Sequence, residues 1–415
     1  MADPARRLGP NAVAVLVLIA LGTGLLLWQR PWQGSDDAVV GIPADATSRL
    51  AAQFRALSDA GSESAFVRAA GTSGAARAFA RQAWRARTAL GAEAVELRYV
   101  SGGDVADHAD GSASAAVDVS WRAGGEIGLS DTSVHTSSVT FRVAPQADGR
   151  FSLVSATPKD GALPLWLAGG VTVERTAGSV VVKVDGGDAE LPVESMTTTA
   201  RSAVGRVVPG TSGDVTVVSP HTQSQMARIV GQPVEQVRQI AAVTTRLDGR
   251  GGSSADTVIV LNPAVFSTMD RRAAQVVLTH EATHLLTHAV GTRAESWVVE
   301  GFADFVALHD DTASLSISAG QILAEVKAGR TPKHLPTTKD FGAESHGLGA
   351  VYESAWMIFR MLGQTYGDDR VVQFYESVMS GTPLDTSLST SFGLTVDQLT
   401  RRWQDYLAKS ASTVS

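Results

Sequence analysis

The stretch that most limits what this chain can become is His280-Glu281-Ala282-Thr283-His284. It lies in a segment with helical start and stop signals: Ser267 or Thr268 can cap it, Asp270 suits its positive end, and Gly291 can close it. Val276, Val277, Leu278, Leu285 and Leu286 supply an apolar surface that draws the segment into a core. Helix positions four apart differ by about 40° in azimuth, so His280 and His284 project from one face and can share one metal ion. Glu281 sits beside them and can reach a metal-bound water rather than the metal. The bland alternative is a helix with two unrelated histidines, and His288 one turn further on keeps it in view.

A second stretch adds carboxylates. Trp297-Val298-Val299-Glu300-Gly301-Phe302-Ala303-Asp304 resembles the third-ligand segment of the gluzincin metallopeptidases, typically W-L-x-E-G-F/L-A-x-Y, within the broader peptidase MA-like group. By that resemblance, one Zn2+ per chain is held by His280, His284 and Glu300, with Asp304 hydrogen-bonded to His280. The physical requirements agree. A catalytic zinc takes two His and a carboxylate and keeps one position open, and its histidines need a carboxylate to set their tautomer. Glu300 and Asp304, four apart, share a helix face, and Gly301 leaves room for close approach. The gap from His284 to Glu300 is shorter than in the best-known gluzincins, so Glu295 stands as the alternative ligand. His288 is read as a helix-end histidine near the negative dipole terminus, because the Gly and later His of a metzincin site are missing.

The segment from Val351-Tyr352-Glu353-Ser354-Ala355 to Leu362 resembles the Y-x-K/S-G/A stretch that follows the zinc helices in aminopeptidase-type gluzincins. The match makes Tyr352 the donor to the oxyanion of peptide hydrolysis, with His346 as the alternative; a core tyrosine beside Trp356 and Phe359 is the structural reading. Thr395 and Gln398 form a capping box for a last helix. The resemblance covers about 255–408 and extends weakly back to 165. It implies a zinc metallopeptidase acting on peptide or protein substrates, with Glu281 as general base. No Gly-x-Met-x-Asn signature is visible, which favours an endopeptidase. Two rivals are a zincin-fold scaffold without turnover and a partner-binding N-terminal module with an accessory peptidase.

Around this centre the pattern is α+β. Helical periodicity at 46–69 and 74–90 gives way to period-two runs carrying Val95, Leu97 and Tyr99, then Val117 and Val119, then Val139 and Phe141, then Phe151 and Leu153. Helices before an antiparallel meander resemble the order of the cystatin-like cone of the nuclear transport factor family. Residues 45–163 are assigned to that cone, 164–408 to a zincin-like metallopeptidase domain of mixed sheet and mostly helical C-terminal part, and 409–415 to a disordered tail. The apolar run 257–261 is expected to form the edge strand that pairs with an extended substrate.

At 415 residues two folded units are the natural division. Net charge −7 without a basic stripe argues against nucleic acid as partner, and the absence of cysteine removes disulfides, thiolate metal sites and cysteine nucleophiles. Abundant Ala and a preference for Arg over Lys are typical of a high-GC bacterium. At the start, Arg6 and Arg7 precede an uncharged run over 11–28, and Trp28 and Trp32 sit where an interfacial belt would lie. Residues 28–32 lack a small-x-small cleavage site, so the run reads as an uncleaved signal anchor. The expectation is a single-pass cell-membrane protein: a cytoplasmic stub and transmembrane helix in 1–35, a tether over 36–44, and the folded domains extracytoplasmic.

Overall fold

The computed structural model describes residues 44–101, 112–129, 132–187, 191–247, 256–342 and 347–414. Within them the fold is α+β, with two sheets and a predominantly helical C-terminal part. Three helices come first: α1 (Ala44–Ser58), α2 (Glu63–Ala70) and α3 (Gly74–Ala89). The single helix expected over 46–69 is interrupted because Ser62 takes extended backbone and its hydroxyl accepts the Ala65 N–H, starting a new helix. Then β1 (Glu93–Ser101), β2 (Ala113–Arg122), β3 (Val134–Pro145) and β4 (Phe151–Asp160) pair in chain order as an antiparallel meander. Alternation turns Val117, Val119 and Trp121 of β2 and Val139, Phe141 and Val143 of β3 inward, into one cluster with Leu50, Phe54, Leu57, Ala80 and Ala83 of the helices.

A short helix, α4 (Leu165–Ala168), leads to the second sheet. Its strands are β5 (Val171–Thr176), β6 (Ser179–Val184), β7 (Val215–Pro220), β8 (Ala242–Arg246) and β9 (Thr257–Leu261), in the spatial order β5-β6-β7-β9-β8. The inner three run parallel and the two edges antiparallel to them. Helix α5 (Val193–Val207) makes the crossover from β6 to β7, and α6 (Gln223–Val230) and α7 (Val234–Val237) follow β7. The edge position expected for 257–261 therefore belongs to β8. Val258, Ile259, Val260 and Leu261 are buried on both faces of β9, which suits an enclosed strand, whereas β8 ends in Thr244, Thr245 and Arg246.

The inner strands carry apolar side chains on both faces, and each face serves a different core. Val180, Val182, Val184, Val218, Val258 and Val260 join the cluster of α1–α3 and the first sheet. Val181, Val217, Ile259 and Leu261 join the cluster of the C-terminal helices. The second sheet is a wall between two cores. Packing runs without a gap through the break expected at 163/164, since Leu163, Leu165, Trp166 and Leu167 all lie in the first cluster.

The helical part comprises α8 (Pro263–Phe266), α9 (Arg271–Leu286), α10 (Ser296–Ala307), α11 (Leu315–Ser318), α12 (Gly320–Lys327), α13 (Leu348–Tyr366), α14 (Asp368–Met379), α15 (Leu384–Phe392) and α16 (Val396–Thr413). Asp270, rather than Ser267 or Thr268, caps α9, accepting the Ala273 N–H at 2.8 Å; those two hydroxyls donate to carbonyls of α8 instead. At the other end the helix closes on His288, not Gly291. His288 adopts φ 54°, and the Ala289 and His288 N–H groups bond back to His284 O and Leu285 O, the reversal that commonly uses glycine. The capping box of Thr395 and Gln398 starts α16 as expected. The disordered tail expected from 409 is instead helical to Thr413, because Ala411 continues the buried stripe of Leu399, Trp403 and Leu407.

The expected anchor over 11–28 and most of the tether lie outside the described residues. Among the described residues no helix is long and apolar enough to cross a membrane. The reading of a single-pass membrane protein with extracytoplasmic domains is withdrawn on that finding.

The shared wall has a consequence for truncation. Removing residues 44–163 uncovers six valines of the second sheet, each worth about 1.5–3 kcal/mol, a loss comparable to the whole stability of a typical domain, about 5–15 kcal/mol. The fragment 164–415 is expected to aggregate or to lack a cooperative melt by circular dichroism. A monomeric fragment with a sharp transition would show that the wall stands alone.

Candidate metal centre

Helix α9 lies against the second sheet and α5, with α10 beside it and α13 beyond α10. Trp297 seats the start of α10 against Phe359 and Phe374, at 5.8 and 6.2 Å between ring centroids. At Gly301 the two helices nearly touch, since a Cβ there would fall 2.6 Å from the Ala355 carbonyl oxygen. Tyr375 of α14 stacks on Phe302 at 3.8 Å, and its hydroxyl lies 2.8 Å from that of Thr287, tying the end of α9 to the helices beyond. These contacts fix α10 in rotation and height, and so fix what its acids face.

Three ligand-type atoms converge where α9 meets α10. His280 Nε2 and His284 Nε2 are 2.9 Å apart, and Glu300 Oε2 lies 3.3 Å from the first and 3.4 Å from the second. A tetrahedral ion with bonds of about 2.0–2.1 Å sets neighbouring ligand atoms about 3.3 Å apart, so the triangle fits zinc. Among the described residues this is the one group of three such side chains positioned to hold a metal ion. Glu300 Oε2 is buried without a hydrogen bond, as an atom reserved for a cation is expected to be. Behind the triangle, Asp304 Oδ1 lies 2.6 Å from His280 Nδ1, which fixes the Nδ1–H tautomer and turns Nε2 toward the centre. Glu281 is fully buried; its Oε2 accepts from the Thr244 hydroxyl at 2.7 Å, and its Oε1 has no partner.

The other sequence candidates fall outside this group. Glu295 is exposed at the start of α10 and is not among the converging atoms. His288 serves the end of α9. Tyr352 is buried on α13, edge-on to Phe341 at 5.0 Å. His346 lies outside the described residues. Two neighbours of the site were missed in the sequence. Thr244 could not be singled out, because a threonine in a strand carries no mark of what crosses its face. Glu353 reads as an ordinary helix residue, yet it is buried and accepts the Ile322 N–H at 2.7 Å, holding the start of α12; burial pushes its carboxyl up to about 8.

Electrostatics in this group set burial against opposite charge. Burial works against charge on His280, but Asp304 and Glu300 outweigh it and raise its imidazole to about 10. Burial likewise works to raise Glu300, and the charges of His284 and His280 outweigh it, bringing the carboxyl to about 2. Burial raises Glu281 and Asp304, with the histidines opposing. A divalent ion must therefore expel the His280 proton. Zinc affinity is expected to rise with pH, about tenfold per unit for one displaced proton, between pH 6 and 9. Competition with a chelator of known proton affinity measures it, and a flat profile would mean that His280 carries no proton for zinc to displace.

Residues 213–318 match a family model described as BSP, Peptidase of plants and bacteria, over about a quarter of the chain. No curated protein sequence matches this one. Among solved structures, an M1 zinc metallopeptidase from Deinococcus radiodurans is similar with 15% identity and a TM-score of 0.34. A mutant M1 zinc metallopeptidase from the same organism, bound to a Tyr-Ser-Ala substrate, is similar with 13% identity and a TM-score of 0.36. In both cases the likeness covers 71% of this chain and 61% of the other, and at these scores it carries no weight for function. The similarity to a peptidase family falls on the span that contains α9, α10 and the His280–His284–Glu300 group.

Proposed function

We propose that this chain is a zinc-dependent peptidase whose metal is held by His280, His284 and Glu300. The observation that carries the reading is the convergence of those three buried ligand atoms beside a buried carboxylate, Glu281, with one unpartnered oxygen. The peptidase match over 213–318 supports it. Bound zinc supplies Lewis acidity to the scissile carbonyl and to the attacking water. Glu281 Oε1 takes the water proton and returns it to the departing amine. Asp304 keeps His280 in the ligating tautomer. Tyr352 donates a hydrogen bond from its hydroxyl to the oxygen on which charge develops, the role that the resemblance of its segment to aminopeptidase-type gluzincins implies.

Strand β8 is the edge of the second sheet nearest α9, and its outer backbone groups are proposed to pair with an extended peptide. Such pairing recognises main chain, which fits endopeptidase action on peptide or protein substrates with broad side-chain tolerance. The architecture proposed around the site is a zincin-like unit over 164–408 and a cystatin-like α+β unit over 45–163 that packs against the back of its sheet.

Glu281→Gln keeps the size of the side chain and removes the base. It is expected to retain one zinc by metal analysis and to lose hydrolysis of a generic peptide library by at least about 100-fold. Tyr352→Phe is expected to lower kcat by about 10²–10³. A wild-type protein that carries zinc but shows no chelator-sensitive cleavage across such a library would sink the peptidase reading.

A further inference from the structure

The geometry points to Thr244 on β8 as the positioning residue for the Glu281 carboxylate, an inference that rests on the peptidase reading and deepens it. The strand's alternation turns Ala242 into the core of the C-terminal helices and Val243 to the opposite one, so Thr244 shares the face of Ala242, toward α9. There it is buried, 5% exposed, with its hydroxyl 2.7 Å from Glu281 Oε2 and 3.0 Å from the Glu281 carbonyl oxygen. A hydroxyl has one proton to give. The shorter contact goes to the carboxylate, which makes Thr244 the donor that commits Oε2 and leaves Oε1 without a partner.

This division of labour follows from the side chain involved. Glutamate has three torsions, and the helix fixes none beyond the first two; a carboxylate meant to meet a water at one position needs a second anchor. Among the described residues, Thr244 is the hydrogen-bond donor recorded on either carboxylate oxygen. The anchor belongs to the edge strand rather than to the metal helix. A peptide aligned along β8 and the base that serves it are then referenced to the same backbone, so the distance from base to scissile bond is set by one strand. Misplacement of a reacting group by about 1 Å typically costs about 10² in rate.

Thr244→Val preserves shape and β-branching and removes only the donor; Thr244→Ser keeps the donor and drops a methyl. With kcat normalised to bound zinc, Thr244→Val is expected to fall about 10- to 100-fold, with KM and zinc affinity within about twofold of wild type, and Thr244→Ser is expected to recover most of the loss. A purely structural role would lower melting temperature or zinc content and leave turnover per bound zinc unchanged. Crystal structures of the zinc-free wild type and Thr244→Val supply a readout independent of activity: the Glu281 carboxylate is expected to leave its position in the variant. Turnover per zinc within twofold of wild type, or a carboxylate that stays in place, overturns the inference. An inactive wild type sinks the peptidase reading instead, and the crystallographic comparison still decides whether Thr244 holds Glu281.

Discussion

Five ionisable side chains, His280, Glu281, His284, Glu300 and Asp304, are buried together, and the molecule can keep them there only by setting charge against opposite charge. An isolated buried ion costs several kcal/mol or more. Here the arrangement distributes the cost. Asp304 compensates His280, both histidines compensate Glu300, and a neutral hydroxyl from Thr244 satisfies one oxygen of Glu281. What remains is geometrically specific: Glu281 Oε1, Asp304 Oδ2 and Glu300 Oε2 lack hydrogen bonds, the last being offset only by the charge of the two histidines. A cation and a water are the species that would complete such a set.

Rigid packing around the two helices maintains that balance. Gly301 lets α10 approach α13 to contact distance, Trp297 locks its first turn, and the Phe302–Tyr375 stack joins it to the end of α9. A shift of α10 by a fraction of a turn would separate Glu300 and Asp304 from the histidines and strand four charges in a low-dielectric interior. The apolar framework and the polar centre therefore specify one another: the framework excludes water, and exclusion of water makes each ion pair obligatory.

The second sheet links this centre to the N-terminal half. Its inner strands bury valines on both faces, one set against α1–α3 and the first sheet, the other against the helices that carry the metal centre. The N-terminal half thus closes the back of the wall that carries the candidate metal centre. On the opposite face, β8 brings Thr244 to Glu281. One sheet serves as structural partition, as candidate docking edge and as support for the proposed base.

Local chemistry was legible from the residues alone. The i, i+4 spacing of His280 and His284 requires a shared helix face, the Glu300–Asp304 spacing requires another, and alternation in the N-terminal strands foretold an antiparallel meander. Local reading failed where two local signals competed. Ser62 broke a helix that periodicity would have continued, Asp270 won the cap of α9 over Ser267 and Thr268, and His288 took the left-handed closing position expected of Gly291. What only the tertiary structure decided is pairing between distant segments. An unbroken apolar run suits an enclosed strand, but it does not name the strands that flank it, so β8 as the edge beside β9 came only with the fold, and the contact between Thr244 and Glu281 left no trace in either segment. Hydrophobic pattern selects the face that a segment buries, but which partner meets that face is decided by the whole chain closing on itself.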